Sequence, residues 1–203
     1  MLSDMNWLAF IGAMALVELT PGPNMGWLTA LAAQQGRRVG FMAVLGITIG
    51  LGIQLGLAAT GFSAFIEGSP LVYHALRWAG IAFMLYLALE AWRETGEASP
   101  SAAKALEGFR RGVIANLLNP KALVFYIAVV TQFAGRGSEA PTAGQILFLG
   151  SLHILVSVIV HSGLVLAGAR LGREIARYRQ SAWVRGGFAL ALVAIAVWMA
   201  LST

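Results

Sequence analysis

The chain has 203 residues, 58% of them hydrophobic and 11% charged, with a mean hydropathy of +0.75, which is too apolar and charge-poor for a water-soluble domain and places it in the bilayer. Its formal charge of +5 is carried in short stretches between apolar segments, a pattern that serves membrane orientation and argues against nucleic acid as a partner. Cysteine is absent, which excludes disulfides and thiolate metal sites, and no cofactor or metal is expected.

Met1-Leu2-Ser3-Asp4 has no basic n-region, so the first apolar segment reads as a retained span rather than a signal peptide. A span needs about 20 mostly apolar residues. Six segments qualify, at roughly 5–33, 39–66, 71–92, 112–134, 143–169 and 182–202. The first is interrupted by Thr20-Pro21-Gly22-Pro23-Asn24 and the fourth by Asn119-Pro120-Lys121. Proline lacks an N–H and clashes with the carbonyl four residues back, so the carbonyls of Val17, Leu19 and Asn116 are expected to lose their helical partners. Hydrocarbon cannot satisfy such groups, and a helix broken at membrane depth therefore lines a cavity or a solute site.

Between the third and fourth segments, 93–111 reads as a polar linker with a Ser99-Pro100-Ser101 break. It divides one transporter domain into repeat one, about 5–92, and repeat two, about 112–202. Eleven of the fourteen Lys and Arg residues fall after segments one, three and five, against Arg136 and Arg77 on the other side and Lys121 within a span. The positive-inside rule then sets both termini outside the cytoplasm. Three spans per half require any repeat to be inverted. The expected fold class is an all-α membrane protein of six helices in two inverted three-helix repeats, the first and fourth helices broken at proline. Gly36xxxGly40, Gly46xxxGly50, Gly52xxxGly56 and Gly168xxxGly172 read as close-packing faces. Trp7, Trp92, Trp183 and Trp198 read as interfacial anchors.

Ionisable groups inside spans are costly, so each is a functional candidate. Glu18 lies one turn before Pro21, and Lys121 follows Pro120. They could form a mutual ion pair that holds two broken helices together, or each could face a solute. The half-helix from Asn24 to Leu31 would turn N–H groups and a positive dipole end inward, suiting a carboxylate. Glu18 and freed carbonyls would suit an ammonium, so the two ends together describe a zwitterion such as an amino acid. A lone anion or cation could use half of the arrangement. His153, Ser157 and His161 recur at i, i+4 and i+8 on one face of the fifth segment. Each histidine is either a hydrogen-bonded packing group or a proton carrier. His153 lies nearer the outer end, leaving His161, Ser157 and Glu18 as the coupling candidates. Gln54, Thr48 and Asn116 read as interhelical hydrogen-bonding residues.

These pieces resemble the lysine exporter superfamily and, within it, the homoserine/threonine exporter branch. The resemblance is carried by Thr20-Pro21-Gly22-Pro23-Asn24, Gly36-Arg37-Arg38-Val39-Gly40, Gly46 and Gly50, Trp78-Ala79-Gly80, Tyr86-Leu87 and Trp92-Arg93. The second half adds Phe109-Arg110-Arg111-Gly112, Asn116, Asn119-Pro120-Lys121-Ala122, Phe125 and Gln132-Phe133, so family order extends over nearly the whole chain. The resemblance implies a secondary exporter of amino acids or close derivatives in the bacterial inner membrane, driven by the proton motive force, with a homodimer left open. Carried over by motif, its substrate-binding residues are Pro21, Gly22, Pro23, Asn24, Asn116, Asn119, Pro120 and Lys121, to which the chain's own chemistry adds Glu18. Three positions depart from the pattern. Thr131 stands where many members have proline, Ser157 where many have aspartate, and Glu18 lies outside the motif. A metal or inorganic-cation exporter is the nearest alternative reading, and an intramembrane enzyme built on Ser157 and His161 is a remote one.

Overall fold

The computed structural model of the chain describes residues 6–20, 22–61, 69–93, 101–134, 141–178 and 181–201, and every regular element among them is helical. In chain order they are α1 (Trp7–Leu19), α2 (Pro23–Gln35), α3 (Arg37–Ala59), α4 (Pro70–Arg93), α5 (Ala102–Leu117), α6 (Pro120–Val124), a π-helical turn (Phe125–Val130), α7 (Thr131–Ala134), α8 (Ala143–Glu174), a 3-10 turn (Ala176–Tyr178) and α9 (Ala182–Leu201). Among the described residues four helical stretches are long and apolar enough to cross a membrane: Arg37–Ala59, His74–Arg93, Ala143–Glu174 and Ala182–Leu201. At about 1.5 Å per residue α3 is about 34 Å long, enough for a hydrocarbon core of about 30 Å. Large apolar side chains on the outside, such as Leu16 on α1, Ile159 on α8 and Leu190 on α9, are exposed in the isolated chain, as lipid-facing residues would be.

The first and fourth segments are each broken, but in different ways. Both restart with proline at the first helical position, where its missing N–H costs nothing. The break before α2 passes through extended Gly22, whereas α5 closes in a tight turn: the Asn119 N–H donates to the Asn116 carbonyl, and Asn119 Oδ1 caps the Lys121 N–H. Pro21 lies outside the described residues. The expectation of a bare Asn116 carbonyl does not hold, because that oxygen accepts from the Asn119 N–H at 3.0 Å and from Gln54 Nε2 at 3.2 Å. The polar segment 93–111 is also more ordered than a linker, since from Ala102 onward it is the start of α5, capped by Ser101. Its Ser99-Pro100 break lies outside the described residues.

Two parallel helix pairs form the centre. α5 packs along α3, and α2 packs along α8. In both, glycine lets one backbone touch the next: a Cβ at Gly112 would collide with the Ala43 carbonyl, and one at Gly172 with the Ala33 carbonyl. The Gly46xxxGly50 and Gly168xxxGly172 faces therefore pack as expected. Gly52xxxGly56 does not, since a Cβ at either residue would meet nothing within 4 Å. Gly36 serves a turn instead, joining α2 to α3 at φ 85°. α4 and α9 form a third pair, fastened at one end by Arg185 over the Trp92 ring at 5.8 Å and at the other by Arg77 donating to the Ala200 carbonyl. These directions gather Arg37, Arg38, Arg93, Arg110, Arg111, Arg170, Arg173 and Arg185 at one end of the bundle, called the basic end below.

Candidate functional site

The two breaks meet. Lys121 Nζ, at the start of α6, donates to the Thr20 carbonyl at 2.7 Å, and a Cβ at Gly22 would lie 3.4 Å from that ammonium. Lys121 therefore satisfies the last carbonyl of the α1 end. The alternative of a direct Glu18–Lys121 ion pair is not what forms: among the described residues the Glu18 carboxylate faces the imidazoles of His153, Oε1 to Nε2 at 2.9 Å, and His161, Oε2 to Nδ1 at 3.9 Å. His153 lines the same cavity as Glu18 and His161 rather than lying beyond it. Its Nδ1 lies 3.1 Å from the Tyr126 hydroxyl, and the Phe125 ring covers its face with centroids 4.1 Å apart. If the hydroxyl donates to Nδ1, Nε2 carries the proton and donates to Glu18, so Tyr126 sets the tautomer that holds the carboxylate.

An amide cluster faces this acid–imidazole group. Asn24 Nδ2 donates to Asn116 Oδ1 at 3.0 Å, and Asn116 Nδ2 donates to Gln54 Oε1 at 3.3 Å. All three residues are buried. Asn116 thus ties α5 to α2 and α3 at the level of the breaks. The N–H groups at the start of α2 are less available than the sequence implied, because the Gly22 carbonyl accepts from both Met25 and Gly26.

Between these groups is a cavity of about 30 Å³, lined by Glu18, Gly22, Asn24, Asn116, Asn119, Lys121, Ser157 and both histidines, with Val17, Met25, Leu51 and Ala122. That volume holds a water or two, since one water needs about 10–15 Å³. Among the described residues, two buried polar atoms on its lining residues have no hydrogen-bond partner, Asn24 Oδ1 and His161 Nε2. His161 Nδ1 lies 2.8 Å from the Ser157 carbonyl and 3.0 Å from its hydroxyl. Donation to the carbonyl takes the Nδ1 proton and makes Nε2 the acceptor, so Nδ1, the nitrogen beside the Ser157 hydroxyl, has no lone pair to activate it as a nucleophile. Among the described residues the cavity therefore presents three acceptors, the Glu18 carboxylate, Asn24 Oδ1 and His161 Nε2, together with the Lys121 ammonium. Among the described residues no group of three or more His, Asp or Glu is placed to hold a metal ion.

Of the sequence candidates, Glu18, Gly22, Asn24, Asn116, Asn119, Lys121, Ser157 and His161 line one cavity. Pro23 and Pro120 begin the helices that bound it. Sequence reading undervalued His153 and did not single out Tyr126. The available signal was Glu18 itself, since a buried acid needs a partner and His153 shares a helix face with His161.

A multi-pass helical membrane protein with two broken helices around a polar cavity is the class this architecture defines. The chain belongs to the LysE type translocator family, whose pattern it matches over residues 15–203. It is 29% identical to the homoserine/homoserine lactone efflux protein of Salmonella typhimurium over 184 residues, covering 89% of this chain and 84% of that protein. An uncharacterised membrane protein of Pseudomonas aeruginosa is 30% identical over 207 residues, covering 97% and 95%, and one of Vibrio cholerae is 29% identical over 176 residues, covering 83% of each chain. No solved structure matches the chain.

Proposed function

We propose that this protein is a secondary transporter that exports an amino acid or close derivative, of the size and polarity of homoserine, across the bacterial inner membrane. The observation that carries the reading is the cavity between the two breaks, whose lining holds both acceptors and a lysine. Glu18, Asn24 Oδ1 and His161 Nε2 receive the solute ammonium, and Lys121 turns from the Thr20 carbonyl to the solute carboxylate. This reverses the role expected for Asn24, whose free atom is an acceptor. The relatives named for homoserine and homoserine lactone efflux support that substrate class.

Six spans arise when α1 with α2, and α5 with α6 to α7, are counted as one broken span each. Exchanging the halves maps the packing of the first broken span on α8 onto that of the fourth on α3 and leaves α4–α9 and α3–α8 mapped onto themselves, which supports two inverted repeats at the level of whole spans. The basic end faces the cytoplasm and both termini lie outside. Proton coupling follows from competition. Glu18 holds either a proton shared with His153 or the solute ammonium, so loading one displaces the other.

Reconstituted protein in vesicles preloaded with L-homoserine should accumulate labelled homoserine by counterflow. Glu18→Gln should abolish proton-driven uptake while Lys121→Met weakens solute binding. Absence of counterflow across a panel of amino acids would sink the substrate class. For orientation, Ala103→Cys should be labelled only from the cytoplasmic side and Gly144→Cys only from outside, and the reverse pattern would overturn the topology.

A further inference from the structure

A second cavity, of about 20 Å³, lies along the same two central helices as the first. On α2 the lining passes from Asn24 and Met25 to Trp27, Leu31, Gln34 and Gln35, and on α5 from Asn116 back to Arg111. Arg111 and Asn116 are five residues apart, about 7.5 Å along the axis. The two spaces are therefore stacked, with the second nearer the basic end. Trp27, only 2% exposed, lines the second cavity at the point on α2 nearest the first.

The second cavity is walled by charge. Arg111 Nη2 lies 2.6 Å from Glu90 Oε2 on α4 and also bonds Glu107 one turn back on α5. Glu90 Oε2 is buried and, despite that distance, has no aligned hydrogen bond among the described residues. α4 otherwise touches the centre lightly, its main partner being α9. The Glu90–Arg111 pair is thus a fastening between the α4–α9 unit and the α2–α5 core, at the mouth of the line that leads to the inner cavity.

We infer that Glu90 and Arg111 form an outer subsite for the zwitterionic solute and act as the gate at the basic end. The groups that hold the gate shut are the two that an amino acid can replace. Its ammonium takes Glu90 from Arg111, its carboxylate takes Arg111 from Glu90, and Gln34 and Gln35 supply neutral donors and acceptors beside them. With the pair parted, α4 is released from α5 and Trp27 can swing away from the end of the second cavity nearest the first. The inference rests on the amino-acid reading of the inner site.

The cysteine-free chain makes the test direct. Met25→Cys reports on the inner cavity and Gln34→Cys on the outer one, with a small charged thiol reagent applied from the basic side of inside-out vesicles. Glu90→Gln breaks the cross-helix pair but leaves Arg111 bonded to Glu107, and it should make Met25→Cys react severalfold faster. L-homoserine should protect Gln34→Cys when Glu90 is present and not in Glu90→Gln, and 4-hydroxybutanoate, which lacks the ammonium, should protect neither. An unchanged Met25→Cys rate in a correctly folded Glu90→Gln protein would overturn the inference and make the pair a structural fastening. Protection at Met25→Cys but never at Gln34→Cys would also overturn it. Protection at neither position counts against the amino-acid reading of the inner site, while the Met25→Cys rate still decides the gate.

Discussion

α1 and α2 are two halves of one sequence segment, each 13 residues long, yet only three residues of α1 are buried against eight of α2. Hydrophobicity does not explain the difference, because α1 is the more apolar half. Lipid solvates apolar side chains as well as protein does, so helices associate in a membrane through close backbone approach and polar contacts. α2 has the first, touching α8 where Gly168 and Gly172 face the Thr29 and Ala33 carbonyls. α1 has no such surface, and a Cβ at Gly12 would meet nothing within 4 Å. It is held by Glu18 to His153 and by ring contacts of Phe10 with Phe133 and Trp7 with Phe148. The fourth segment repeats the division in backbone contact though not in burial, with α5 locked on α3 through Gly108 and Gly112 while α6 to α7 are held by buried side chains such as Tyr126 and Val130. The basic-end halves are thus a frame, and the opposite halves are levers held by side chains.

The largest effect expected from that division is at the lever's anchor. His153→Ala leaves Glu18 a buried carboxylate with its closest partner removed, which should cost on the order of 3–5 kcal/mol. Glu18→Gln in the same protein should recover most of the loss, because the charge that needed a partner is gone. Lowering the pH should also shrink the penalty, since a protonated Glu18 carries no charge. Denaturation of the purified protein in detergent measures all three. A full penalty in the double variant would show that His153 supports the packing and not the acid.

Next comes the frame. Gly112→Val would drive a side chain into the Ala43 backbone, and overpacking costs about 1–3 kcal/mol even where side chains can give way. A carbonyl cannot move aside as a side chain can, so the upper part of that range is expected. Gly52→Val, on α3 itself but facing open space, should change stability by no more than about 0.5 kcal/mol. Equal melting temperatures for the two variants would break the claim that close backbone contact at glycine holds the frame.

Hydropathy and proline placed the segments and both breaks because those features are local. The register between helices was not local. Residues 102–111 read as linker since Lys104, Glu107, Arg110 and Arg111 dominate their composition, although Ala105, Gly108 and Gly112 form the small-residue stripe that packs on α3. The π-helical turn at Phe125–Val130 has no composition mark, yet it accompanies the rings of Phe125 and Tyr126 meeting His153. Glu18 and Lys121 were visible as charges that needed partners. Which partners they took depended on the crossing of α1 with α8 and the meeting of the two breaks, which nothing in a single sequence records.

The smallest effect is also the most informative about the anchor. Tyr126→Phe removes one hydroxyl and leaves the buried ring in place against His153. If the hydroxyl only adds a hydrogen bond, the loss should be about 0.5–1.5 kcal/mol with transport unchanged. Its position argues for more. With the Nε2 proton donated to Glu18, the hydroxyl donates to the Nδ1 lone pair, and without it that lone pair is left bare. A bare Nδ1 lone pair is free to take a second proton, so proton uptake would be favoured and the pH at which counterflow is half-maximal should rise in Tyr126→Phe. A pH profile that superimposes on that of the parent protein, with only the small drop in melting temperature, would assign Tyr126 to packing and leave Glu18 and His153 to hold the proton without it.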